Sequence, residues 1–420
     1  MFTNANLSFD AAPPIKVVLR FFLSGAIFGV VASLFALFNV NSLNAVASPE
    51  TLTVVHLLTL GVMASFMLGA LFQMLPVLAG VSIKSPELIS LRVNYALTLG
   101  TISLVVSFFN GSAILYSLSA ISLTFALFAT AYIMLKELIK VQKNASPKGM
   151  MLAIISLAVV VILGLLMLAL RAGISVGVDY TVIKNIHLSF GLFGWIAMLI
   201  ISVAFQVIEM FYVTPPYPKA LQNYLTVAIF ALLLIALLIP SATVIIQAVI
   251  ALLLAVFAIF TLIRLSQKKR SVSDASLWFW RAGMGALIAY ALLFLASIFV
   301  AVNTTLIAIL YTFFALFIVS AMVFKIVPFL VWFQLNRAGY FDGPMMHEVI
   351  HPKIAKYNFY LFIASFALLI VGVYFKLSIY IGFLALAFSF LMLAILIYKA
   401  WHKYLHTLQF GTKIEFPSVM

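Results

Sequence analysis

The sequence predicts an all-α polytopic membrane protein, with twelve transmembrane helices in three pseudo-equivalent four-helix units. Three observations predict it. Hydrophobic residues fill 66% of the 420 positions and charged residues 8%, too little polar side chain to cover a soluble domain. The apolar residues form twelve stretches close to the roughly 20 residues a helix needs to cross a bilayer. One motif recurs near the end of three stretches: Phe72-Gln73-Met74-Leu75-Pro76, Phe205-Gln206-Val207-Ile208-Glu209 and Phe324-Lys325-Ile326-Val327-Pro328.

The stretches follow in order. The first, about 17–39, comes after a polar start with Pro13 and Pro14; it is too long for a signal h-region and lacks a small-residue cleavage site, so it is expected to be retained. The second, about 51–81, carries the first motif copy. The third and fourth, about 91–109 and 113–135, hinge on Asn110-Gly111-Ser112, and the basic run Lys136 to Lys148 follows. The fifth and sixth cover about 150–171 and 183–212, the sixth ending on the second motif copy before Pro215-Pro216. Pro240-Ser241 divides the seventh, about 221–239, from the eighth, about 241–264, which leads into Lys268-Lys269-Arg270. The ninth and tenth, about 277–301 and 304–334, precede a 22-residue loop, and Lys376-Leu377 joins the last two, about 357–375 and 378–400.

An offset of 133 residues superposes Gly61 on Gly194, Ala64 on Ala197, Phe72 on Phe205 and Gln73 on Gln206. A further 119 residues reaches the third copy, where Lys325 replaces the glutamine, and Arg20 of helix 1 corresponds to Arg281 of helix 9. The short connections recur at the same place in each unit, which divides one membrane domain, 1–420, into repeats of about 1–140, 141–270 and 271–420. Inverted two-half repeats are the commoner transporter plan.

Charge orients the bundle. With the N-terminus inside, only Arg171, Lys184 and Lys376 of the 24 Lys and Arg face outward, so both termini are expected on the cytoplasmic side of the inner membrane. The net charge of +14 then reflects topology and contact with anionic headgroups of the bilayer. Nucleic acid is not an expected partner, because no aromatic platforms lie between the basic runs. With 0 cysteines, disulfides, iron–sulfur ligation and thiol catalysis are excluded.

The twelve-helix, three-unit plan resembles subunit I of the haem–copper oxidases over the whole chain. That resemblance implies a haem ligand on helix 2 and a copper ligand on helix 6, which His56 and His187 match by helix and depth. It also implies histidines on helices 7 and 10, and here 221–238 and 304–325 contain none, so oxygen reduction is not expected. Lys325-Ile326-Val327-Pro328-Phe329-Leu330-Val331-Trp332-Phe333, with Gly343-Pro344-Met345-Met346, is similar to NnrS-type proteins, relatives without the full site that are linked to nitric-oxide metabolism.

A neutral imidazole inside a membrane needs a hydrogen-bond partner or a metal. A haem between His56 and His187 satisfies both, with Arg171 and Lys184 facing its propionates; interhelical bonds without any cofactor satisfy them equally. At about 100° per residue, His56, Met63, Met67 and Met74 fall within about 20° of one line, a soft-ligand stripe that suits Cu(I) or simply fills the core. Gln73, Gln206, Glu209 and Lys325 gather at one depth on the inner side, where Glu209 and Lys325 can pair; either a proton entry route or boundary snorkelling follows. Gln247 is read as an interhelical bond.

His347-Glu348-Val349-Ile350-His351 fits the zinc-protease pattern H-E-x-x-H. Pro352 disfavours helix at His351, and Glu415, His402 and His406 are the only later candidates for a third ligand, so a protease is not expected. His402 and His406 read as an interfacial end to helix 12. The expected function is haem or metal binding in a respiratory or nitric-oxide-linked system, possible partners being respiratory-chain proteins. The alternatives are a cofactor-free transporter or channel, a copper-transfer protein, and an assembly scaffold.

Overall fold

The computed structural model describes residues 12–43, 47–79, 83–141, 144–269 and 274–413, giving side chains for all of these but 77–79. The polar start before Ala12, Lys143 and Arg270 of the basic runs, and Glu415 lie outside the described residues. Among those described, helix is the only regular structure, and twelve helices are long and apolar enough to span a membrane. They are α1 Ile15–Phe38, α2 Pro49–Pro76, α3 Pro86–Asn110, α4 Ala113–Leu138, α5 Ala145–Arg171, α6 Tyr180–Tyr212, α7 Lys219–Leu238, α8 Pro240–Ser266, α9 Ala275–Ala296, α10 Thr304–Arg337, α11 Pro352–Gly372 and α12 Lys376–Phe410.

Local chemistry sets the starts. Ser48 caps α2 by accepting from the Thr51 N–H at 3.1 Å, with Pro49 at the first helical position. Asp179 caps α6 through the Thr181 N–H at 2.7 Å, Asn303 caps α10 through Thr305, and Asp274 caps α9 through Leu277. Gly111, at φ +62°, closes α3 in a left-handed turn that a side chain would strain.

Burial ranks the helices. The apolar windows of α2, α6 and α10 are 61%, 78% and 72% buried, against 28% for α7 and α11, so the three motif-bearing helices form the inside of the bundle. The first and last helices pack along each other, and Gly29 makes this closure tight: a Cβ there would lie 2.3 Å from the Phe390 ring.

Two of the inner helices widen at matching places. Leu57–Ala64 in α2 and Phe190–Ala197 in α6 are π-helical, and their ends are separated by the same 133 residues as Gly61 and Gly194. The corresponding part of α10 is ordinary α-helix. Its Tyr311 reaches across and donates to the Leu192 carbonyl in the α6 π segment at 2.5 Å, a partner 119 residues away. On the bundle axis lies a cavity of about 50 Å³ whose lining includes Phe66, Leu199 and Ile318, and one layer on Met67, Ile200 and Val319. In each triplet the members are 133 and 119 residues apart, and the lining is almost wholly apolar.

Candidate histidine site

His56 lies in the second turn of α2, immediately before the π segment, and His187 in the second turn of α6, three residues before its own. The offset of 133 therefore pairs His56 with Ser189 rather than with His187. Ser189 is held by Gln247 of α8, whose amide donates to its hydroxyl at 2.9 Å.

Both imidazoles are fixed through the same nitrogen. The His56 Nδ1–H donates to the Leu52 carbonyl at 2.8 Å within its own helix, and the His187 Nδ1–H donates to the Val160 carbonyl of α5 at 3.1 Å. That arrangement sets the tautomer in each ring and leaves Nε2 carrying the lone pair. His187 also lies over Gly164, one turn from Val160, where a Cβ would touch its Cε1 at 3.4 Å; anything larger than alanine would push the ring away.

The rings are electrostatic neighbours, each half-buried, and Arg171 acts on His56. Phe108 of α3 joins the imidazole and the guanidinium: its centroid is 5.3 Å from that of His56 and 5.4 Å from the Arg171 carbon. The phenols of Tyr116 on α4 and Tyr180 on α6 face Arg171 from the other elements. Lys184 is half-buried one turn before His187. Five helices thus meet at the two histidines, and Phe108, Tyr116, Tyr180 and Val160 are parts of the site that no sequence spacing marks.

This donor set is specific in what it lacks. No group of three or more His, Cys, Asp or Glu able to hold a metal ion exists among the described residues. A bare ion such as zinc takes four ligands, usually three or more from the protein, whereas a haem brings four nitrogens of its own and needs only one or two axial ligands from the protein. The residues present fit the second case.

A π-helical segment lies within the expected methionine stripe. A π turn takes in roughly one extra residue, about 100° of rotation, so His56 faces Phe108 while Met67 and Met74 line the axial cavity. Met63 is likewise buried, at 3% exposure. All three thioethers are buried in the core of this fold.

At the opposite end the expected Glu209–Lys325 pair is replaced by others. Lys325 forms an ion pair with Asp274 and lies over the rings of Phe211 and Tyr212, 5.8 and 5.2 Å from their centroids. The Tyr212 hydroxyl bonds to Ser276, which donates to Asp274 at 3.0 Å. Burial pulls the Asp274 carboxyl up, but the Lys325 charge, with bonds from Lys325, Leu277 and Ser276, outweighs it and holds the group below the usual carboxylate range. Glu209 instead accepts from the Tyr217 N–H and the Gln222 amide, both at 3.1 Å. Burial pushes the Tyr217 phenol well up, and it donates to Thr261 at 3.0 Å. Gln73 is buried with its Oε1 unpartnered, and Gln206 is half-buried.

The H-E-x-x-H segment does not take the continuous helical form of that motif. Met346–Val349 is one helical turn, and His351 is the extended N-cap of α11, accepting from the Lys353 N–H at 3.2 Å. The two histidines share no helix face, as Pro352 requires. His402 and His406 lie on the long end of α12 with ring centroids 6.4 Å apart.

Compared with protein-family models and with curated proteins, the sequence finds no match.

Proposed function

We propose that this chain is an inner-membrane haem-binding protein that holds one haem through the Nε2 atoms of His56 and His187. The observation carrying this reading is that two intramembrane imidazoles are both tied through Nδ1 to backbone carbonyls, the arrangement that orients an imidazole ligand and fixes its tautomer. Arg171, steered by Tyr116, Tyr180 and Phe108, together with Lys184, would pair with the propionates. Phe108 packs against the His56 ring. When bound, the haem supplies a one-electron couple whose potential these surroundings tune.

The proposal includes the architecture: three four-helix units of haem–copper oxidase subunit I type, both termini cytoplasmic, in a respiratory or nitric-oxide-linked setting. The charge asymmetry and the resemblance support it. Helices α7 and α10 contain no histidine, so a copper-bearing oxygen site lacks the ligands those helices would supply. A central transport path is not favoured, because the axial cavity is lined by apolar side chains. A reduced-minus-oxidised visible spectrum of the purified chain, with iron analysis, tests the reading. One haem per chain is expected, lost or shifted in His56→Ala and in His187→Ala; a stoichiometric haem unaffected by both variants, or none at all, overturns it.

A further inference from the structure

A groove of about 550 Å³ runs along the outside of the bundle between α1, α2 and α3. Its walls are Ile27, Val31 and Phe35 on one side and Ile102, Val106 and Phe109 on the other. It opens sideways, since Ile27, Ile102 and Phe109 are about half exposed. The surroundings of such an opening on a membrane-spanning helix are lipid.

One buried polar group in it is unaccounted for. Thr53 lines the groove, is 2% exposed, and its hydroxyl has no hydrogen-bond partner. Thr59 on α2 and Thr101 on α3 turn back on the carbonyl four residues earlier, those of Val55 and Leu97. Ser24, at the far end of the groove, is already bonded to Arg20 and Asn94. A buried hydroxyl in hydrocarbon is costly without an acceptor, and the groove is where an acceptor can enter.

The depth of that hydroxyl selects the occupant. Thr53 is one turn inside the start of α2, level with the C-terminal ends of α1 and α3 marked by Phe35 and Asn110. The other end, at Ser24 and Thr98, reaches the middle of α1 and α3. From Ser24 to Phe35 is about 16 Å at the helical rise, close to half of a hydrocarbon core of roughly 30 Å. The groove therefore has the length of one leaflet, with its hydrogen-bond donor at the boundary where ester carbonyls lie.

We infer that this groove is a binding site for one phospholipid of the leaflet on the histidine side, with an acyl chain along Val31 and Val106 and an ester carbonyl accepting from Thr53. The inference does not depend on haem. Full-length protein in mild detergent, titrated with dioleoyl phosphatidylethanolamine and with its diether analogue, which lacks ester carbonyls, tests it by native mass spectrometry. One diester lipid should bind about five-fold tighter than the diether, the worth of one hydrogen bond. Thr53→Val should abolish that preference without lowering the melting temperature of lipid-free protein, and Val106→Trp should remove binding of both lipids. Equal binding of diester and diether by the unaltered chain, retention unchanged in Val106→Trp, or an isoprenoid quinone in place of phospholipid would each overturn the assignment.

Discussion

Single residues decide which charges this bundle tolerates. Asp274 caps α9 and also neutralises Lys325, so Asp274→Asn leaves a largely buried ammonium beside Phe211 and Tyr212. Loss of about 1–3 kcal/mol is expected, by analogy with other pairs broken on one side. Asp274→Asn combined with Lys325→Met should recover most of it, and equal unfolding temperatures for the single variant and the parent would show that the pair holds nothing. The pH sign follows from a lowered folded pKa. The stabilisation is complete above the ordinary value of 3.8 and is lost as pH falls through the lower folded value. Asp274→Asn should flatten that acid slope. Val213 is a second residue-scale case. It follows α6 at φ +53°, and a β-branched side chain in the left-handed region costs about 1–2 kcal/mol. Val213→Gly should raise stability, by something under that strain because glycine also loosens the unfolded chain; a fall in melting temperature would refute the strain.

At the scale of elements, the two π segments control which way the helix ends face. Deleting Leu60 removes one residue from the α2 segment and, if it restores α-helix, turns His56 by about 100° relative to the buried half of the helix. The His56-dependent optical band should disappear; its persistence would mean that the register is unimportant to the ligand. Helix contact depends on small residues in the same stretch. A Cβ on Gly194 would lie 2.7 Å from that of Ser156 on α5, so Gly194→Ala should cost about 1–3 kcal/mol through separation of α5 and α6. Thermal unfolding in one detergent measures this.

At the scale of the molecule, the chain has no cysteine, so single substitutions report topology cleanly. With both termini cytoplasmic, Cys at Ile174, exposed between α5 and α6, should react with an impermeant maleimide added to intact cells. Cys at Asn144, exposed between α4 and α5, should react only after lysis. The reverse pattern would invert the proposed orientation. The number of helices, their approximate limits and the Pro352 break were legible in the sequence, because hydropathy, caps and proline act within a few residues. Where the side chains meet was less so. The Lys325–Asp274 pair joins residues 51 apart, one of them in a connection between helices. The 100° step behind the methionine line cannot register a π turn, and Tyr116, Tyr180 and Phe108 come from helices whose order around the bundle no local pattern states. A membrane-spanning all-α chain, with histidines on α2 and α6 and none on α7 or α10, could be read from the chain alone, since composition and position are properties of the chain. That both imidazoles are tied through Nδ1 to backbone carbonyls, close enough for each to feel the other's charge, came from the fold alone, because packing across five helices sets the surroundings of both rings.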